Sequence, residues 1–221
     1  MIHIFEQELL PNIKKYDVVL FGMGINNSFN RGLLYDIALN FPKVRKEENS
    51  LSPYGCKTKY GTILPIQVED IIFCPCYMND GGYCSWNGVK DFVRYEELEK
   101  CLKTVSSRFK GKKICAPIIG VSYYDGNGNR EKLLNIFEKC FIDCDVDIYD
   151  YIQLDRKLDN FRKKNENYQR YKRGEINKEQ YEENYRKIMW QIEHGIFEKM
   201  PNDYIPNKKD KLIRVKKTDL E

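Results

Sequence analysis

Asp17-Val18-Val19-Leu20-Phe21-Gly22-Met23-Gly24-Ile25-Asn26-Asn27-Ser28-Phe29-Asn30-Arg31-Gly32 is the stretch on which the fold turns. Val18 to Phe21 is apolar without polar alternation, the pattern of a strand covered on both faces. Gly22 and Gly24 end it. Beyond the polar loop, Leu33, Leu34, Ile37, Ala38 and Phe41 fall at helical spacing, and Pro42 closes that stripe. Strand, glycine-bearing loop and helix in this order form the repeating unit of an open, largely parallel sheet.

Working outward, the same alternation recurs. Ile2 to Phe5 reads as a short strand, and Thr62–Val68 and Ile71–Cys74 as two strands joined by a Glu69-Asp70 turn. Leu98, Cys101, Leu102 and Val105 mark a helix from Tyr95. Ile114 to Ile119 is a buried strand, Leu133 to Cys140 a helix, and Asp145 to Tyr149 a closing strand. The sequence therefore predicts a three-layer α/β/α sandwich. Past Tyr151 the pattern changes. Leu154, Leu158, Phe161 and Tyr168 share one helical face ending near Gly174. A second helix opens at Asn177, with Gln180 three residues on and Ile176 placed to staple onto Tyr181. Its stripe of Tyr181, Tyr185, Ile188 and Ile192 stops at Gly195. The expected organisation is a domain over 1–151 and a basic helical hairpin over 152–221, with a loose tail from Pro201.

Composition narrows the function. Of 221 residues, 42% are hydrophobic and 32% charged, enough for a core with a strongly solvated surface. No apolar run approaches the ~20 residues of a membrane-spanning helix, and the start has no basic and apolar leader pattern. The expected setting is the cytoplasm. Residues 155–221 carry 18 Lys+Arg against 13 Asp+Glu, and the rest 19 against 20. The appendage is basic, yet its charges are interleaved, so it lacks the concentrated face that nucleic acid requires. A homo-oligomer through the hairpin is the protein partner considered. The eight cysteines lack the paired spacing of structural zinc, and without an oxidising compartment a disulfide framework is not expected. Buried reduced thiols are expected, with no metal and no cofactor.

Ligands of open α/β sheets bind outside the carboxyl ends of the strands. Two long polar loops lie there: Gly22–Gly32, and Gly120-Val121-Ser122-Tyr123-Tyr124-Asp125-Gly126-Asn127-Gly128-Asn129. Their backbone amides and the following helix N-termini suit a diphosphate held between them. Asp125 is the carboxylate placed to orient a water or act as general base; its bland alternative is a turn former. Tyr123 and Tyr124 read equally as surface aromatics or as a lid.

The run Asn26-Asn27-Ser28-Phe29-Asn30-Arg31-Gly32-Leu33-Leu34-Tyr35-Asp36-Ile37-Ala38-Leu39-Asn40-Phe41-Pro42 resembles the first ligand loop and helix of the macrodomain family. Tyr60-Gly61-Thr62, Arg94-Tyr95-Glu96-Glu97-Leu98, Ala116-Pro117-Ile118-Ile119-Gly120 and Asp145–Tyr149 follow in family order. The resemblance covers about 1–151 and is greatest to the branch that includes ADP-ribose-1''-phosphate phosphatases. It implies a six-stranded mixed sheet, mostly parallel, and ADP-ribose or a relative bound across the two loops. By position, Asn30, Arg31 and Gly32 would border the diphosphate and distal ribose, and Asn26 and Asn27 would face that ribose. Gly120 to Gly128, including Ser122, Tyr123, Tyr124 and Gly126, would wrap the diphosphate from the other side. Glu6, with Glu8 as the poorer candidate, would hold the adenine amino group, and Tyr151 or Tyr149 would pack on adenine.

The chain departs from the family at Gly24, where many hydrolytic members have Asn, and at Asn27 and Asn30, where they have glycines. Ser122 to Asp125 interrupt the second glycine run, and Asn129 stands where an acidic residue is common. Two functions follow from the resemblance. One is hydrolysis at the distal ribose of ADP-ribose-1''-phosphate or an ADP-ribosyl adduct, with Asp125, Asn26 and Asn27 as catalytic residues and loop amides stabilising developing charge. The alternative is non-catalytic sequestration of a cyclic or modified ADP-ribose signal, as a viral antagonist of a nucleotide-signalling defence would perform. A third reading treats the sheet as a scaffold for an interaction surface on the hairpin.

Overall fold

The apolar run becomes β2 (Val18–Gly24), buried at every position, in a computed structural model that describes residues 1–26, 29, 32–80, 93–121, 128–150, 156–194 and 199–206, with the backbone alone over 156–162. Its burial follows from its neighbours. β5 (Ile114–Pro117) pairs with it on one side and β4 (Ile71–Asn79) on the other, both parallel. Beyond β5 lie β6 (Val146–Tyr149) and then β1 (Ile2–Phe5), also parallel. Beyond β4 lies β3 (Ile66–Val68), antiparallel to it. The six-stranded order is β1-β6-β5-β2-β4-β3, a mixed, mostly parallel sheet as the sequence and the resemblance lead one to expect. The β3–β4 connection turns at Glu69-Asp70, with Glu69 in the left-handed region at φ 52°.

Side chains alternate across this sheet, and each face has its own helical cover. On one face Val18, Leu20, Cys74, Cys76, Ala116 and Ile148 join a core with α3 (Tyr95–Arg108) and α4 (Arg130–Cys140). On the other, Phe73 packs against Phe41 at 4.7 Å between ring centroids. Ile37 of α1 (Gly32–Asn40) and Val44 of α2 (Pro42–Leu51) are fully buried beside it. Each such apolar side chain contributes roughly 1.5–3 kcal/mol by leaving water. Glu99 bridges the two helices of the first face, its Oε1 lying 2.6 Å from Lys103 Nζ and 2.9 Å from Lys139 Nζ.

α1 ends at Asn40, ahead of Pro42 as expected, and Pro42 also occupies the first turn of a further helix, α2, where its missing N–H costs nothing. One local reading needs correction. β4 runs on through Pro75 to Asn79 instead of stopping at Cys74. Among the described residues no cysteine is in a disulfide, and Cys74, Cys76, Cys101, Cys115, Cys140 and Cys144 are buried. Cys84 lies outside the described residues.

The chain divides into two compact units, Met1–Arg156 and Lys157–Glu221. In the second, α5 (Arg156–Lys172) and α6 (Lys178–His194) are joined through Gly174, whose φ is +75°. Asn177 and Gln180 form the expected reciprocal cap: Gln180 N–H donates to Asn177 Oδ1 at 2.9 Å and Asn177 N–H to Gln180 Oε1 at 3.0 Å. Asn167, 6% exposed, donates to the Tyr181 carbonyl at 3.0 Å and so ties the helices together. Leu154 and the side chains of Leu158 and Phe161 lie outside the description. Residues 202–204, at the start of the tail, contact α6. Arg186 donates through Nε to the Tyr204 carbonyl at 2.9 Å and through Nη2 to the Asn202 carbonyl at 2.6 Å. Trp190 meets the Tyr204 ring edge-on at 4.9 Å. Among the described residues no helix is long and apolar enough to cross a membrane.

Candidate functional site

β2 and β5 are parallel neighbours, so the loops that follow them leave the same edge of the sheet side by side. β4 ends at that edge on the other flank of β2, where a register shift sets Gly24 opposite Asn79. Ile25 N–H donates to the Asn79 carbonyl at 3.0 Å, extending the contact one residue into the first loop.

Of the residues singled out in the first loop, Gly24 is buried at the end of β2 and Asn26 is half-buried just beyond it. Gly32 opens α1 with φ +51°, a left-handed conformation that favours glycine. Asn27, Asn30 and Arg31 lie outside the described residues, as do Ser122, Tyr123, Tyr124, Asp125, Gly126 and Tyr151. Both ends of the second loop are described. Gly120, at φ +89°, accepts a hydrogen bond from Gly128 N–H at 2.9 Å. Asn129 caps α4, its Oδ1 accepting from Lys132 N–H at 2.9 Å, while its own N–H donates to the Tyr95 hydroxyl at 3.0 Å.

At the far side of this edge, Glu6 is exposed immediately after β1. Asp150 follows β6 and is bound by Arg130, whose Nε donates to Oδ2 at 3.1 Å and whose Nη2 donates to the same oxygen. Asp150 chiefly, and Glu6 to a lesser degree, raise the affinity of that guanidinium for its proton. Tyr149 is 3% exposed; its ring stacks on Phe5 at 5.5 Å and its hydroxyl lies 2.8 Å from that of Tyr16. Tyr16 in turn donates to Asp147 Oδ2 at 2.6 Å. Tyr149 is thus a core residue.

A charged cluster beneath the first loop is absent from the sequence reading. Lys59 is 6% exposed and Glu48 of α2 is 0% exposed. Lys59 Nζ donates to the Ile25 carbonyl at 3.0 Å and the Pro53 carbonyl at 3.3 Å, and lies 3.7 Å from Glu48 Oε1. It also sits 4.4 Å from the centroid of the Tyr77 ring, a cation–π contact. The Tyr77 hydroxyl donates to Glu48 Oε1 at 2.9 Å and lies 2.9 Å from Ser52 Oγ. Burial pushes the Glu48 carboxyl up and the Lys59 ammonium down, and each charge opposes the shift of the other. In sequence, Lys59 is one basic residue among many; only its placement between Cys56 and the Tyr60-Gly61-Thr62 motif hinted at the site. Among the described residues no group of three or more His, Cys, Asp or Glu is arranged to hold a metal.

These features define an open α/β sheet with paired strand-to-helix loops at one carboxyl edge, an arrangement suited to an anionic nucleotide. The fold is that of the macrodomains. The macrodomain of Thermus aquaticus DarG aligns with 68% of this chain and 98% of its own, at TM-score 0.52 and 13% identity. Thermosipho africanus DarTG, solved in complex with ADP-ribose, aligns over 68% of this chain and 41% of its own, at TM-score 0.54 and 14% identity. A protein of unknown function from Bacteroides thetaiotaomicron aligns over 69% and 98%, at TM-score 0.59 and 16% identity. No family model and no curated protein matches the sequence.

Proposed function

We propose that this chain binds an ADP-ribose-type nucleotide across the loops 22–32 and 120–129 and hydrolyses a bond at its distal ribose. The observation that carries the reading is the departure of both loops from the adjacent parallel strands β2 and β5. Backbone donors from two sides then converge on one diphosphate. The complex of Thermosipho africanus DarTG with ADP-ribose supports the choice of nucleotide through the common fold. Asn26 and Asn27 face the distal ribose and Asn30, Arg31 and Gly32 border the diphosphate. Gly120, Ser122, Tyr123, Tyr124 and Gly126 close the second side. Glu6 receives the adenine amino group and Tyr151 its ring. Asp125 orients the attacking water, and loop amides stabilise the charge that develops on the leaving group.

Calorimetry with ADP-ribose tests the binding step, and phosphate release from ADP-ribose-1''-phosphate tests the hydrolysis. Binding without release, extended to cyclic ADP-ribose isomers, favours the sequestering alternative. That alternative draws on Gly24 standing where hydrolytic relatives carry Asn, and on the side chains of Ser122 to Asp125 in place of bare glycine backbone. An absence of heat with every ADP-ribose derivative contradicts the nucleotide reading.

A further inference from the structure

The peptide joining Ile25 to Asn26 is held from behind. Its carbonyl accepts from Gly55 N–H at 2.9 Å and from Lys59 Nζ at 3.0 Å, while the Ile25 N–H is committed to Asn79. A trans peptide is planar, with its C=O and N–H pointing in opposite directions, and no described peptide bond is cis. Fixing the Ile25 carbonyl towards Lys59 therefore directs the Asn26 N–H away from it. A charge-assisted bond from an ammonium is stronger than a neutral one. Lys59 has little freedom to turn elsewhere: Glu48, the Pro53 carbonyl and the Tyr77 ring enclose it. Glu48 Oε2 has no hydrogen-bond partner among the described residues, so the buried carboxylate is offset by the Tyr77 hydroxyl and then by the Lys59 cation. Two buried charges are an expensive way to stabilise a fold, since apolar replacements often serve as well.

We propose that Lys59 is a positioning residue: its buried ammonium, beside Glu48, locks the Ile25–Asn26 peptide plane and so sets the course on which the first loop leaves β2 to meet the nucleotide. The inference rests on the nucleotide reading above and names a residue for that same site. Lys59 touches no ligand atom in this scheme. Its effect passes through the backbone.

The test pairs neutral substitutions, so that no charge is stranded: Glu48→Gln with Lys59→Met, and Glu48→Met with Lys59→Met. A Val44→Ala chain, altered on the same helix at a fully buried position, is the control for lost packing. The neutral pairs are expected to melt no lower than the control. They should bind ADP-ribose at least tenfold more weakly than wild type, with the control within threefold. In the same chains, amide exchange at Gly55 should accelerate at least tenfold over the control. Wild-type affinity in a folded neutral pair overturns the proposal. If wild type itself ignores ADP-ribose, the nucleotide reading fails, and Gly55 exchange decides the positioning: acceleration sustains it and unchanged protection overturns it.

Discussion

Gly128 donates its backbone N–H to the carbonyl of Gly120 at 2.9 Å, pinching together the two ends of the second loop. Val93 stands against both. A Cβ on Gly120 would lie 2.9 Å from Val93 Cγ2, and one on Gly128 would lie 2.8 Å from it and 3.2 Å from the Gly120 carbonyl oxygen. The pinch therefore depends on two positions without side chains and on the shape of one valine.

Gly128→Ala should cost about 1–3 kcal/mol, the usual range for overpacking. Val93→Ala in the same chain should relieve part of that loss, leaving a coupling of about 0.5 kcal/mol or more in a urea-denaturation cycle. Strict additivity would mean that Val93 is not the obstacle. Gly120→Ala carries a second penalty from its φ of +89°, so the valine change should rescue it less fully.

Tyr77→Phe should destabilise by about 1–3 kcal/mol, because it removes a buried donor from Glu48 Oε1. Equilibrium unfolding checks the figure. Loss of less than a few tenths would show that Lys59 and Ser52 satisfy the carboxylate unaided.

Glu99 is held down to about 2 by hydrogen bonds from Lys103 and Lys139 and by their charges. A depressed carboxylate contributes stability that is fully present above its unfolded value near 4.5 and is lost as pH falls through about 2. Glu99→Gln should thus lower the melting temperature at neutral pH and flatten its fall across that window, the two chains converging as pH drops through about 2. An unaltered acid profile would rule out this bridge as the source.

Asn26→Ala should weaken ADP-ribose binding roughly tenfold, about 1.4 kcal/mol. Asp125→Ala should abolish turnover of ADP-ribose-1''-phosphate and leave affinity within a few-fold. Retained turnover removes Asp125 from the role of base, and lost affinity assigns it to binding.

Arg186→Ala should release the stretch around Tyr204 from α6, since both carbonyl bonds depend on that guanidinium. Hydrogen exchange is the measurement: residues 202–206 should lose protection while the Asn177–Gln180 cap keeps its own. Unchanged exchange would assign the anchoring to Trp190 and the Tyr204 bond to Glu193.

The parts legible in the sequence are those where burial matches the apolar pattern. Val18 to Phe21 lies between two parallel neighbours, so every side chain is apolar and the strand is plain. α2 escaped because the residue one turn after Val44, where an apolar side chain would continue the stripe, is Glu48, buried on account of Lys59. A polar residue in the core position erases the period by which a helix is recognised. The extension of β4 was hidden by Pro75. That residue is tolerated because its polar edge faces Leu64, whose N–H reaches the Pro75 carbonyl at 3.4 Å, so the β2 pairing needs no donor from it. The candidate site was legible as two loops, since glycine and asparagine mark strand ends. Lys59, Val93 and the Arg130–Asp150 pair were not, because each acts across a distance in sequence that no local pattern records.

β1 reaches the sheet through β6, with Ile2 opposite Val146 and Phe5 opposite Tyr149. During synthesis the earliest strand of this sheet must therefore wait for its latest. Until residues 146–149 emerge from the ribosome, Ile2 to Phe5 has no native partner, and Ile4, 47% exposed even when docked, is available for mispairing. Closure over so long a stretch of chain is slow. Until it closes, the unpaired segment is open to a chaperone or a protease.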